Sequence, residues 1–135
     1  MTVAETIDAL QSLSGVELTE EGGWRLVLRK EPQTRVEVFV PYGTLHWFAT
    51  AYGSMEKVQW NEEMDYAGYE PEATLGTLEQ NMCEDLHHFV GSLANAEAFR
   101  ARRDGVLFLR IIPEVQVGGQ WQELRMSKRP LPRAQ

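Results

Sequence analysis

The sequence predicts an α+β domain with a single antiparallel sheet of five to six strands, in the order helix, three- or four-strand meander, long helix, C-terminal hairpin. Three observations carry this. Apolar residues return at helical spacing in only one long run, Ala73 to Arg103, where Leu75, Leu78, Met82, Leu86, Phe89 and Leu93 advance by three or four. From Trp24 to Tyr52 they mostly alternate instead, the period of a half-buried strand. After the helix, two apolar runs flank Gly118-Gly119, a two-residue hairpin signal.

In chain order, Val3, Ile7, Leu10 and Leu13 make a short amphipathic helix, with Thr2 as its cap and Glu5 three residues on. It is too short to stand alone, so it packs on the sheet or on another subunit. Ser14-Gly15 ends it. Trp24, Leu26 and Leu28 alternate with Arg25, Val27 and Arg29, and after a turn at 31–34 Val36, Val38 and Val40 repeat the pattern. Leu45 to Tyr52 is apolar or aromatic at nearly every position, which predicts a central strand covered on both faces or facing a partner. Lys57 to Trp60 reads as a short fourth strand with Val58 and Trp60 inward. Asn61 to Glu72 is acidic and reads as a loop.

The long helix is expected from about Ala73 to Gly91 or Asn95, with Cys83 and Val90 on one shoulder of its stripe and Asp85 on the other. A single straight helix cannot also bury Phe99. A break before Phe99 and a second short helix ending at Asp104-Gly105 are therefore expected, with Arg100, Arg102 and Arg103 in its last turn. Val106 to Ile112 follows as a strand, Pro113 is expected at an edge or bulge, and Gln120 to Met126 returns. Residues 1–127 form one domain on this reading, and 128–135 a basic flexible tail.

A chain of 135 residues is large enough to bury a core without staples. One cysteine excludes an internal disulfide framework and favours a cytoplasmic location. No apolar run approaches a membrane span, and the first residues lack the basic-then-apolar order of a signal peptide. The net charge of −7 argues against general nucleic-acid binding. Charge is uneven: residues 1–98 hold five Lys/Arg against seventeen Asp/Glu, whereas 99–135 hold eight against three. An acidic body with a basic end can bind its own neighbour.

The chemistry-bearing residues form no strong motif. Cys83, Glu84, His87 and His88 are the densest set of possible ligands, but the i,i+4 pairs Cys83/His87 and Glu84/His88 point about 100 degrees apart. No metal site and no cofactor are expected from them. Phosphate-loop, HExxH and GxSxG patterns are absent from the chain, and no catalytic residue is assigned. The aromatic excess is more informative. Trp47, Phe48, Tyr52, Trp60, Tyr66 and Tyr69 are more large rings than a small core readily takes, and rings of this kind are enriched where proteins meet. With Glu62, Glu63 and Asp65 they form the candidate binding set.

The leading expectation is a non-enzymatic protein-binding module, chaperone-like or adaptor-like, that forms a homodimer and presents sheet or helix surface to a partner polypeptide. In element order, size and acidity the chain resembles type III secretion chaperones, although no third helix follows its last hairpin. That resemblance implies an acidic dimer that holds segments of other proteins. Two alternatives stand beside it: a stoichiometric inhibitor or immunity-type protein using the acidic 61–72 loop, and a small-ligand binder or enzyme with a cleft near His46 and His87.

Overall fold

The structure is a computed structural model that describes residues 1–30, 34–66, 74–106 and 110–127. Helix α1 (Val3–Gln11) leads into five strands, β1 (Val16–Glu20), β2 (Gly23–Lys30), β3 (Thr34–Pro41), β4 (His46–Tyr52) and β5 (Val58–Asp65). Helix α2 (Leu75–Ala94) follows, then β6 (Ala98–Asp104), β7 (Arg110–Val117) and β8 (Gln120–Glu123). The α+β class therefore holds, but the expected single sheet is two. One is a five-stranded antiparallel meander in the order β1-β2-β3-β4-β5, the other a three-stranded sheet in the order β6-β7-β8. No helix among the described residues is long and apolar enough to cross a membrane.

Thr2 and Glu5 cap α1 reciprocally, each side chain bonding the other residue's backbone N–H at 3.1 Å. The helix buries Thr6, Ile7 and Leu10 and packs on α2 and β1. Helix α2 lays Leu78, Met82, Leu86, Phe89 and Leu93, all 3% exposed or less, against the inner face of the larger sheet. There Leu26, Leu28, Val36, Val38, Val40, Trp47, Ala49 and Ala51 are buried. The Phe89 ring lies 5.3 Å from that of Trp47 and 6.2 Å from that of Trp60. Each such side chain contributes about 1.5–3 kcal/mol of burial, so this layer contact dominates the fold. Leu75 is 75% exposed, so the stripe begins one turn later than its spacing suggests.

Four further expectations are corrected. The short helix expected around Phe99 is strand β6: Arg100 and Arg102 both reach Glu114 of β7, at 2.8 and 3.3 Å, and this cross-strand clamp overrides the helix propensity of Ala-Arg-Ala-Arg-Arg. Phe99 is still buried and joins the same core, as do Val115 and Leu124. The acidic stretch expected as a loop is, from Asn61 to Asp65, the continuation of β5. Val58 is 53% exposed rather than inward, because the β4–β5 register shifts beside Ala51 and Tyr52. The β1 strand was not anticipated at all. Pro113 sits inside the middle strand of the small sheet and is buried. It is tolerated because β8 ends at Glu123, so the ladder beside it needs only its carbonyl, which accepts from Leu124 N–H at 2.8 Å. The expected tail at 128–135 lies outside the described residues.

Candidate functional site

Strand β5 is the last strand of its sheet, and among the described residues nothing pairs with its far side. Tyr66 N–H donates to Leu45 O at 3.1 Å, which fixes the ladder's alternation. It follows from the β4–β5 register that the backbone groups of Asn61 and Glu63 point away from β4, to an edge that no described strand pairs. An unpaired edge is a ready template for another chain.

Beside this edge lies an open groove of about 780 Å³. One wall is β5, and the other is the first half of β7 with the segment that leaves β8. Trp60, Met64, Ile112 and Leu124 are buried in its floor, Ile111 is 38% exposed on its wall, and Glu62, Arg110 and Arg125 stand at its rim. The groove exists because the hairpin arms differ in length: β7 has eight residues and β8 four, so among the described residues Arg110 to Ile112 have no strand beside them on this side.

A buried polar chain holds the two walls at a fixed separation. Trp47 Nε1–H donates to Tyr66 Oη at 2.9 Å, Tyr66 O–H donates to Asp85 Oδ2 at 2.8 Å, and Ser127 O–H donates to Asp85 Oδ1 at 3.1 Å. Asp85 is 1% exposed. Tyr66 directly follows β5 and Ser127 ends the opposite wall, so one carboxylate of α2 anchors both. Trp47, Trp60 and Tyr66 of the candidate binding set are thus core residues, with Trp60 also reaching the groove. Tyr69 lies outside the described residues.

The acidic candidates are divided. Glu62 is on the inner-face row, opposite Ala49, and faces the groove, whereas Glu63 and Asp65 belong to the opposite face. Glu63 Oε2 lies 3.2 Å from His46 Nε2, and the His46 ring stacks on Phe48 at 4.4 Å. On the same outer face Arg25 lies 4.7 Å over Phe39 and Arg35 4.3 Å over Tyr52, and Glu37 ion-pairs with both arginines. Phe48 and Tyr52 are half-buried there. The Glu56 carboxyl is held below the usual carboxylate range by its hydrogen bond to Arg35.

His46 and His87 share no cleft, since His46 is on the outer sheet face and His87 on α2, which packs against the inner one. His87 borders a notch of about 580 Å³ with Met1, Thr2, Thr6 and Cys83. Burial pushes the Cys83 thiol above its ordinary value, and its Sγ lies 3.6 Å from Met1 O. A protonated thiol bonded to a carbonyl is a poor nucleophile.

Ile111, Ile112, Leu124 and Met126 were not foreseen as groove residues. The sequence signal for them is the unequal length of the runs on either side of Gly118-Gly119. No protein-family model, curated protein or solved structure matches the chain.

Proposed function

We propose that the protein is a non-enzymatic polypeptide-binding module that takes up an extended segment of a partner protein along the free edge of β5. One observation carries the reading: among the described residues no strand pairs with the outer side of β5, which lies beside a groove with an apolar floor. Strand addition divides recognition in two. Main-chain hydrogen bonds to Asn61 and Glu63 supply affinity, and alternate side chains of the incoming strand supply specificity in the groove. The row facing the groove runs Trp60, Glu62, Met64. It favours apolar groups at both ends and a basic group between them.

The disposition of the acidic and nucleophilic groups supports a binding role over catalysis. Neighbouring Glu62 and Glu63 diverge to opposite sheet faces, so they do not form the paired carboxylates that acid/base chemistry uses. The same divergence weakens an inhibitor reading that needs Glu62, Glu63 and Asp65 as one surface.

The test is fluorescence anisotropy with labelled extended peptides that alternate apolar and polar residues and place one arginine among the inward positions. Binding at about micromolar strength is expected, together with loss of binding in Ile111→Glu, which puts a charge on the groove wall. Phe48→Ala, on the other face of the sheet, is expected to bind as the parent does. Failure of every extended peptide to bind, or equal binding by Ile111→Glu, overturns the reading.

A further inference from the structure

The larger sheet ends at its other margin in β1, and among the described residues nothing pairs with the outer side of that strand. Sheet margins are commonly blocked by proline, lysine or a bulge. Val16–Glu20 holds neither proline nor lysine, and its register with β2 runs unbroken. We propose that β1 pairs antiparallel with β1 of a second copy of this chain, Leu18 beside Leu18 across a twofold axis, so that two five-stranded sheets join into one of ten strands. The strand-acceptor reading of β5 is not involved, since β5 borders the sheet on its far side.

The backbone fixes which groups of β1 a visitor meets. Glu21 N–H donates to Gly23 O at 3.0 Å and Tyr42 N–H to Gly22 O at 3.2 Å. With the β1–β2 and β2–β3 registers, these bonds turn the main-chain groups of Glu17 and Thr19 toward β2 and those of Val16, Leu18 and Glu20 outward. Val16 N–H is already taken by Leu13 O at 3.3 Å. Among the described residues this leaves Val16 O and both groups of Leu18 and Glu20 for a second chain. Centred on Leu18, the twofold makes two bonds between the leucines and brings each Glu20 N–H to Val16 O of the other copy.

Side chains then select this register from those the backbone allows. Centred on Leu18, Glu17 lies beside Thr19 of the other copy and Glu20 beside Val16, so no acid meets an acid. Centring on Glu17 or on Glu20 sets that residue against itself, and centring on Thr19 sets Glu17 against Glu21, all destabilising. Centring on Val16 calls on the N–H that Leu13 holds. Helix α1 does not seal this margin, because a notch of about 420 Å³ lies between it and Leu18, Glu20 and Trp24. Leu18 packs on the core but is only half-buried, and the second Leu18 covers the part that water still reaches. Both β5 edges fall at the outer ends of the joined sheet, so the dimer presents two grooves.

Sedimentation equilibrium of the full chain over a concentration series at fixed salt tests this. The apparent mass is expected to rise with concentration toward that of two copies. Thr19→Lys is expected to strengthen association about fivefold, because each new lysine faces Glu17 of the other copy. Glu17→Lys combined with Thr19→Lys is expected to associate more weakly than the parent, although it carries less negative charge, because lysine then faces lysine. Both positions are exposed, and circular dichroism checks that the variants fold. Should Thr19→Lys unfold beside Arg25, the cross-link carries the test: Leu18→Cys is expected to form a disulfide-linked dimer on oxidation, and Thr19→Cys is not. A monomer throughout the series, a folded Thr19→Lys without effect, a double variant that associates more tightly than Thr19→Lys, or no cross-link through Leu18→Cys overturns the inference. Peptide binding at β5 is read separately and stands or falls by its own variants.

Discussion

Tyr66 and Asp85 meet at 2.8 Å beneath the groove, and through this bond the end of β5 is tied to the middle of α2. The same Tyr66 oxygen accepts from Trp47 Nε1–H, so Tyr66→Phe keeps the ring and removes both interactions. A buried donor left without its acceptor costs about 1–3 kcal/mol. Urea denaturation of Tyr66→Phe is expected to show a loss of that size. Peptide affinity is expected to fall as well, because one wall of the groove loses its anchor.

Lys30 closes the other end of α2. Its Nζ donates to Ala94 O at 3.3 Å, the last carbonyl of the helix, and to Ala96 O at 2.9 Å just beyond it. Lys30→Met keeps much of the stem's packing and removes the cation. A loss of about 1–3 kcal/mol is expected by thermal or chemical denaturation, that of a charged hydrogen-bond donor.

Glu114 makes stability depend on pH at the acid end. Hydrogen bonds from Arg100 hold its carboxyl below the ordinary 4.5, with Arg102 adding to the effect. In the unfolded chain the carboxyl takes up its proton first. The contribution is therefore complete above that ordinary value and is lost as pH falls through the lowered one. Melting temperatures of the parent and Glu114→Gln are expected to differ at neutral pH and to converge as the pH falls below the ordinary carboxylate value of 4.5. A constant gap would contradict the assignment.

Leu75 and Leu78 share a stripe on the helical wheel but not an environment, being 75% and 3% exposed. Leu78→Ala is expected to cost about 2–5 kcal/mol. Leu75→Ser is expected to stay within about 0.5 kcal/mol of the parent. Equilibrium denaturation of the two variants measures both.

The contrast between these leucines shows how far the sequence is legible. Periodicity located α2, the β2–β3 pair and the Gly118-Gly119 turn, because each depends on neighbours a few residues away. It failed at β6, where helix-forming alanine and arginine are drawn into a strand by Glu114, a partner that local pattern does not reveal. It also failed at Asn61 to Asp65, where charged side chains on an edge strand look like a loop because only one face of the strand needs to be apolar. The division of the acidic candidates Glu62, Glu63 and Asp65 between two faces follows from the pairing with β4, which local pattern does not reveal. The groove itself was not legible: its walls come from β5 and β7, and their approach depends on Asp85 holding Tyr66 and Ser127 together.

Pro113 gives the groove a polarity. On the side where β7 borders it, Ile111 offers a full set of main-chain groups, but the next position that would do so is the proline, which has no hydrogen to give. Among the described residues β7 therefore offers a visiting chain an interrupted rail, and β5 the longer one. The same missing hydrogen takes one rung out of any ladder built on that wall, so a chain seated in the groove is held more firmly by β5 than by β7.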